Sequence, residues 1–132
     1  MLAYTLECSS YKAGCHVSVL GKGNESGYWQ SEAGMLPHCI WIHLPCALLI
    51  RKLSLLFSPS KDESYCPRRM VISVGSYSGD LKEWRVLEIG EDQEEFVWNE
   101  VEIGCKAACL SVLIIENHGN GRDSRVRGLK LE

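Results

Sequence analysis

An all-β sandwich or barrel is the fold this sequence predicts, on three observations. Short runs with strand alternation recur along the chain, turn residues separate them, and helical periodicity is nearly absent. The chain has 132 residues, which suits one domain with a sizeable core. Its hydrophobic share of 45% places it among globular rather than disordered sequences. No internal repeat, low-complexity tract or linker divides it.

Leu6 to Gly27 is rich in small residues and reads as a short strand followed by a loop or short helical turn. Tyr28-Trp29-Gln30-Ser31 places an aromatic pair in a polar setting, as in a satellite core cluster under a loop. In Leu36 to Leu44, Ile40, Ile42 and Leu44 share one strand face, with Trp41 and His43 opposite. Pro37 sits at the start, where sheets tolerate proline. Cys46 to Phe57 is apolar on both faces: Leu49, Leu53, Leu55 and Phe57 on one, Leu48, Ile50 and Leu56 on the other. Arg68 to Tyr77 alternates Met70, Ile72 and Val74 against Ser73 and Gly75, and Gly79-Asp80 marks a turn. Trp84 to Ile89 and Phe96 to Ile103 give two more strands, joined by an acidic loop from Glu91 to Glu95. Ala107 to Glu116 reads as a strand buried on both sides, and Val126 to Leu131 as the last strand.

Between the last two runs lies Asn117-His118-Gly119-Asn120-Gly121-Arg122-Asp123-Ser124-Arg125. These residues tolerate special backbone angles and offer side-chain hydrogen bonds. The stretch reads either as a hairpin connection with Asn-Gly at its tip or as a recognition loop between rigid strands. Lys61-Asp62-Glu63-Ser64-Tyr65-Cys66-Pro67 is a solvated turn or a second rim loop.

A net charge of −3 gives no global basic excess, so neither nucleic acid nor an anionic membrane is an expected partner. The apolar runs are far too short for a spanning helix, and Met1-Leu2 lacks a signal-peptide pattern. Seven cysteines, Cys8, Cys15, Cys39, Cys46, Cys66, Cys105 and Cys109, lack regular paired spacing. That favours reduced thiols in a cytoplasmic or nuclear protein. Cys105 and Cys109 with His38-Cys39 lack the CxxC pair of a structural zinc site, so no metal or other cofactor is expected.

Catalytic signatures are missing: no GxSxG elbow, phosphate-binding Walker loop or HExxH pair occurs. Asp62-Glu63 with Asp123 could be paired carboxylates, but nearby acids are common on any surface. Cys15-His16 and His38-Cys39 are adjacent pairs, which point to opposite faces on a strand. A binding domain, not an enzyme, is the expectation.

Three motifs in fixed order carry a resemblance: Tyr28-Trp29-Gln30-Ser31, Asp62-Glu63-Ser64-Tyr65 with Pro67, and Asn117-His118 with Asn120-Gly121-Arg122-Asp123. Ser9-Ser10, Lys12, Gly14, Val17, Leu20, Asn24, Pro37-His38, Ile40, Ile42 and Val74-Gly75 extend it. The chain resembles the DOC domain family, over residues 9–131 of a single domain spanning 1–132. The resemblance implies a galactose-binding-like jelly-roll sandwich. It also implies a role in a ubiquitin ligase, with substrate proteins or peptide degrons and other ligase subunits or domains as partners. The family's degron-facing positions fall here on Ser64, Asn120 and Asp123. Arg125 stands where the family's Doc subunit has histidine, and Cys66 where it has threonine. Gly21-Lys22-Gly23 stands where that subunit is acidic, and its C-terminal tail has no counterpart before Glu132, which suggests a domain of a larger protein.

Ser64, Tyr65, Asn120, Arg122, Asp123 and Arg125 are therefore the candidate ligand-binding residues. Arg122, Arg125 and Arg127 would make the rim basic and suit an acidic or phosphorylated ligand. Two alternatives stand beside peptide recognition. A carbohydrate-binding module would need an aromatic platform, for which Tyr28, Trp29 and Tyr65 are candidates. A docking role would leave the rim covered by another part of a larger protein.

Overall fold

The structure is a computed structural model that describes residues 2–22, 27–91 and 94–132, apart from the side chains of residues 21 and 22. Gly23 and Asn24 therefore lie outside the described residues, as do two positions of the acidic loop after Glu91. Among the described residues there are eight strands: β1 Thr5–Cys8, β2 Trp29–Gln30, β3 His38–Phe57, β4 Pro67–Gly75, β5 Lys82–Glu88, β6 Val97–Asn117, β7 Arg125–Val126 and β8 Gly128–Leu131. The one α-helix among the described residues, α1, is a single turn at Pro59–Asp62. Short 3-10 turns occupy Val17–Lys22, Glu63–Tyr65 and His118–Asn120.

Two pairs of expected strands fuse. Leu36 to Leu44 and Cys46 to Phe57 become the 20-residue β3, and Phe96 to Ile103 and Ala107 to Glu116 become the 21-residue β6. They form one long antiparallel ribbon, with a register shift between His43 and Leu48 and another between Ile50 and Lys52. The first shift loops out Pro45, Cys46 and Ala47, all exposed. On one side of it, β1, β3, β6, β4 and β5 pair in that order. On the other, β8 pairs with β3 at Leu53 to Leu56. The ribbon thus turns a corner and contributes to both layers of a jelly-roll sandwich.

Alternation supplies the core between the layers. Ile40, Ile42, Met70, Ile72, Val112 and Ile114 from one layer meet Leu53, Leu55, Phe57, Val101, Ile103 and Leu129 from the other. The expected face of Met70, Ile72 and Val74 is buried as read. Leu49 is not on the face of Leu53 and Leu55: it is 58% exposed, and Ile50 takes the inward position. A simple two-residue period misses this because the second register shift lies between them. Gly104, with φ +67°, sits in β6 across that shift, a backbone angle glycine adopts without a Cβ penalty. Trp29 is also corrected. It is fully buried in the main core cluster rather than in a satellite, and its indole N–H donates to the Ser10 carbonyl at 3.0 Å.

Candidate functional site

Two connections cross between the layers at the same end of the sandwich. Residues 58–66 run from β3, where it pairs with β8, to β4, and residues 118–124 run from β6 to β7. The second is no hairpin, because β7 pairs with β2 and β8 with β3 rather than either with β6. Its turn places Gly119 at φ 61° and Asn120 at φ 59°. Asparagine is among the few residues that tolerate this region.

The two connections touch. The His118 N–H donates to the Cys66 carbonyl at 3.0 Å. At Gly121 a Cβ would fall 1.8 Å from the Ser64 carbonyl oxygen, so only glycine permits this approach. Ser64 therefore lies directly against the turn that carries Asn120.

Beneath this surface runs a buried network. Asn117 donates from Nδ2 to the Gly121 and Asp123 carbonyls at 3.1 and 3.0 Å, and its Oδ1 accepts from the Ser124 hydroxyl at 2.7 Å. The Ser31 hydroxyl accepts from the Ser124 N–H at 2.9 Å and donates to Asp123 Oδ1 at 2.8 Å. That oxygen also accepts from the Gly34 N–H at 3.2 Å. His38, fully buried, contacts the Arg122 carbonyl through Nε2 and lies 3.6 Å from Asp123 Oδ1. Its Nδ1 is buried with no partner. Both neighbours of Nε2 are acceptors, so Nε2 is the nitrogen that donates.

A second buried group pins the other connection. Asp62, 2% exposed, accepts from Arg127 Nε at 3.0 Å and Nη2 at 2.7 Å, and from Arg125 Nη1 at 3.2 Å. Its hydrogen bonds hold the Arg127 guanidinium above the ordinary arginine range. Arg125 also donates to Gln30 Oε1 at 2.8 Å. Its guanidinium lies 4.5 Å from the Tyr28 ring and 4.1 Å from the Tyr65 ring. Cation–π contact of this kind favours arginine.

The six candidate residues thus divide. Ser64, Asn120 and Arg122 are exposed, with Ser64 against the turn that carries Asn120. Tyr65 is 37% exposed, with its ring engaged by Arg125. Asp123 and Arg125 are mostly spent within the domain, the first holding Ser31 and Gly34, the second joining Asp62, Gln30 and two tyrosines. Arg127 does not add to a basic rim, because it is buried against Asp62. Asp62 and Glu63 are not paired carboxylates for the same reason. Of the three platform candidates, Trp29 is in the core, Tyr28 is covered by Arg125 and Arg127, and Tyr65 is 37% exposed with Arg125 against its ring. Gln30, Ser31 and Ser124 were legible only as motif or loop residues; their buried positions needed the fold.

All seven cysteines are free, and among the described residues no cluster of three or more His, Cys, Asp or Glu converges on a metal site. Burial pushes the Cys66 thiol up to about 12, with Asp62 adding to the effect. Cys39 is likewise raised to about 12, by burial first and then by Cys109. Neither is a poised nucleophile. No helix among the described residues is long and apolar enough to cross a membrane.

Known proteins resemble this chain in sequence and in fold. The sequence model of the family described as "Anaphase-promoting complex, subunit 10 (APC10)" matches residues 3–131. Anaphase-promoting complex subunit 10 of Dictyostelium discoideum is 34% identical over 128 residues, covering 93% of this chain and 66% of the relative. The Homo sapiens subunit is 30% identical over 129 residues, covering 93% and 68%. A human zinc finger ZZ-type and EF-hand domain-containing protein is 26% identical over 125 residues, 95% of this chain but 4% of that protein. The chain spans about two thirds of the length of the subunit 10 relatives. In fold, a family 32 carbohydrate-binding module of C. perfringens NanJ, solved with galactose, superposes with a TM-score of 0.80 at 14% identity, covering 97% of this chain and 92% of that one. A chitosan-binding module from Paenibacillus gives 0.77 at 18% identity, covering 99% and 96%. At such identity these two speak for the galactose-binding-like jelly roll alone. With the YWQS, DESY and NGRD motifs meeting at one end of that sandwich, the chain belongs to the anaphase-promoting complex subunit 10 family of ubiquitin-ligase components.

Proposed function

We propose that this chain is a non-catalytic recognition module of a ubiquitin-ligase system, acting in the cytoplasm or nucleus and holding an extended peptide or degron of a substrate. The observation that carries this reading is the exposed set Ser64, Asn120 and Arg122, mounted on two crossing connections that buried hydrogen bonds fix in place. Asn120 can donate and accept, Ser64 adds one adaptable hydroxyl, and Arg122 offers a guanidinium fork. Backbone amides and carbonyls of an extended peptide are matching partners. So small a polar patch binds weakly by itself, on the order of −5 to −7 kcal/mol, or hundreds to about ten micromolar. Weak binding suffices where a second tethered contact raises the effective concentration, as in a multisubunit ligase.

A carbohydrate reading draws on the fold neighbours, but burial of Trp29 and the arginines lying against the Tyr28 and Tyr65 rings weigh against it. The test is selection of displayed peptides on the chain, repeated on Asn120→Ala and Ser64→Ala with folding checked by near-ultraviolet circular dichroism. Peptides captured by the parent and lost on both variants support the reading. Equal capture by all three removes it.

A further inference from the structure

We infer that Arg125 is a specificity-determining plug: its side chain fills a guanidinium-binding slot at the rim and closes the rim to ligands that carry a guanidinium group. The inference rests on the peptide reading above and adds which side chain of a peptide this rim turns away.

Four side chains surround the Arg125 guanidinium. Asp62 Oδ1 accepts from Nη1 at 3.2 Å, and Gln30 Oε1 accepts from Nε at 2.8 Å. The Tyr28 and Tyr65 rings lie 4.5 and 4.1 Å from its central carbon. Asp62 and Gln30 are both buried. Two aromatic rings, a carboxylate and an amide oxygen are the chemistry with which proteins bind a guanidinium ligand. Here the occupant belongs to the chain itself. Its side chain is 19% exposed, so the slot reaches solvent at the rim.

The walls do not depend on the plug. Asp62 also accepts from Arg127 Nε and Nη2, at 3.0 and 2.7 Å, so its carboxylate stays in place when residue 125 is shortened. Arg127 lies 4.8 Å from the Tyr28 ring as well. Tyr65 is fixed through its neighbour Cys66, whose N–H donates to the Glu63 carbonyl and whose carbonyl accepts from the His118 N–H, each at 3.0 Å. Gln30 is held in β2 by pairing with β7. Shortening residue 125 therefore leaves a vacant slot. Its buried acceptors have each lost a donor, which favours an incoming guanidinium.

In the parent chain a dissolved guanidinium competes poorly, because the tethered Arg125 has an effective concentration in the millimolar range or above. The same fixed cation repels a basic residue brought close to Tyr65. Peptide reading is then left to Ser64, Asn120 and Arg122, none of which offers a carboxylate to a basic side chain.

Amide-shift titration with methylguanidinium tests this on the 15N-labelled parent and on Arg125→Ala, with ammonium at equal ionic strength as the control cation. The variant should show saturable shifts at residues 28, 30, 62 and 65 and bind methylguanidinium roughly tenfold or more tightly than the parent does. Ammonium should leave those residues unmoved, and adding Tyr65→Ala should abolish the binding. No saturable shift in the variant, or equal shifts in the parent, overturns the inference. Should Arg125→Ala fail to fold, the Arg125 side-chain resonance of the parent decides. Slow Nε–H exchange with a ring-shifted signal supports the plug, and a solvent-averaged signal overturns it. Selection of displayed peptides separates the two readings. The variant should capture arginine-containing peptides that the parent refuses. Capture of the same arginine peptides by both overturns the plug and leaves the peptide reading standing. A parent that captures no peptide overturns the peptide reading, and the methylguanidinium titration still decides the slot.

Discussion

Two guanidinium groups converge on the one carboxylate of Asp62, so its removal leaves two cations in a nearly dry setting. Asp62→Ala is expected to cost about 3–5 kcal/mol, read as a fall in the urea midpoint, whereas a rim change such as Asn120→Ala should cost little. Asn117→Ala strands two carbonyls and the Ser124 hydroxyl, and about 3 kcal/mol is expected by the same measurement. The motif residues were visible in the sequence, but their division of labour was not. Asp123 and Arg125 look like ligand contacts in a linear string. Only the partners brought by folding, residues 31, 34, 30 and 62, make them supports of the rim. Cysteine burial carries its own sign. A thiol whose acidity is suppressed on folding leaves stability untouched below its ordinary value near 9.0 and removes it as pH climbs toward about 12, because the unfolded chain ionises first. A urea midpoint that falls between those values, and alkylation at neutral pH that reaches exposed Cys46 well before Cys39 and Cys66, are the expected outcomes.

At the level of elements, the alternation of Met70, Ile72 and Val74 and the placement of most strands follow from apolar periodicity. The continuity of β3 and β6 does not, because the corner at Pro45 to Ala47 looks like a break when only polarity is read. Likewise the Asn-Gly signal at 120–121 suggests a hairpin, yet the segment crosses between layers. What decides is which strand edges remain open in the sheet, a long-range property that no local window contains. The approach of Gly121 to Ser64 couples the two crossings. Gly121→Ala should force them apart, with a loss of about 1–3 kcal/mol and faster hydrogen exchange at residues 63–66 and 118–121. Unchanged exchange would mean that the two connections are independent.

For the whole molecule, the sandwich holds both crossings and the Tyr28 to Gly34 segment at one end, while the exposed corner of the long ribbon lies at the other. The fold class was readable from 132 residues because short strands and turns alternate throughout. Which segments wall the cleft beside Ser64 was not, because Glu63 and Glu91, which both line it, lie far apart in the chain. Solved sugar-binding modules share this scaffold, and in this chain arginines lie against the Tyr28 and Tyr65 rings. The account as a whole claims that a preformed polar rim holds a peptide without transforming it. Amide-shift titration of the labelled chain with a peptide selected on it examines this claim most directly. Saturable shifts confined to residues around 64, 120 and 122, with the rest of the spectrum unmoved, are the predicted result. Shifts spread through the core strands, or centred on the far corner at Pro45 to Leu49, would contradict it.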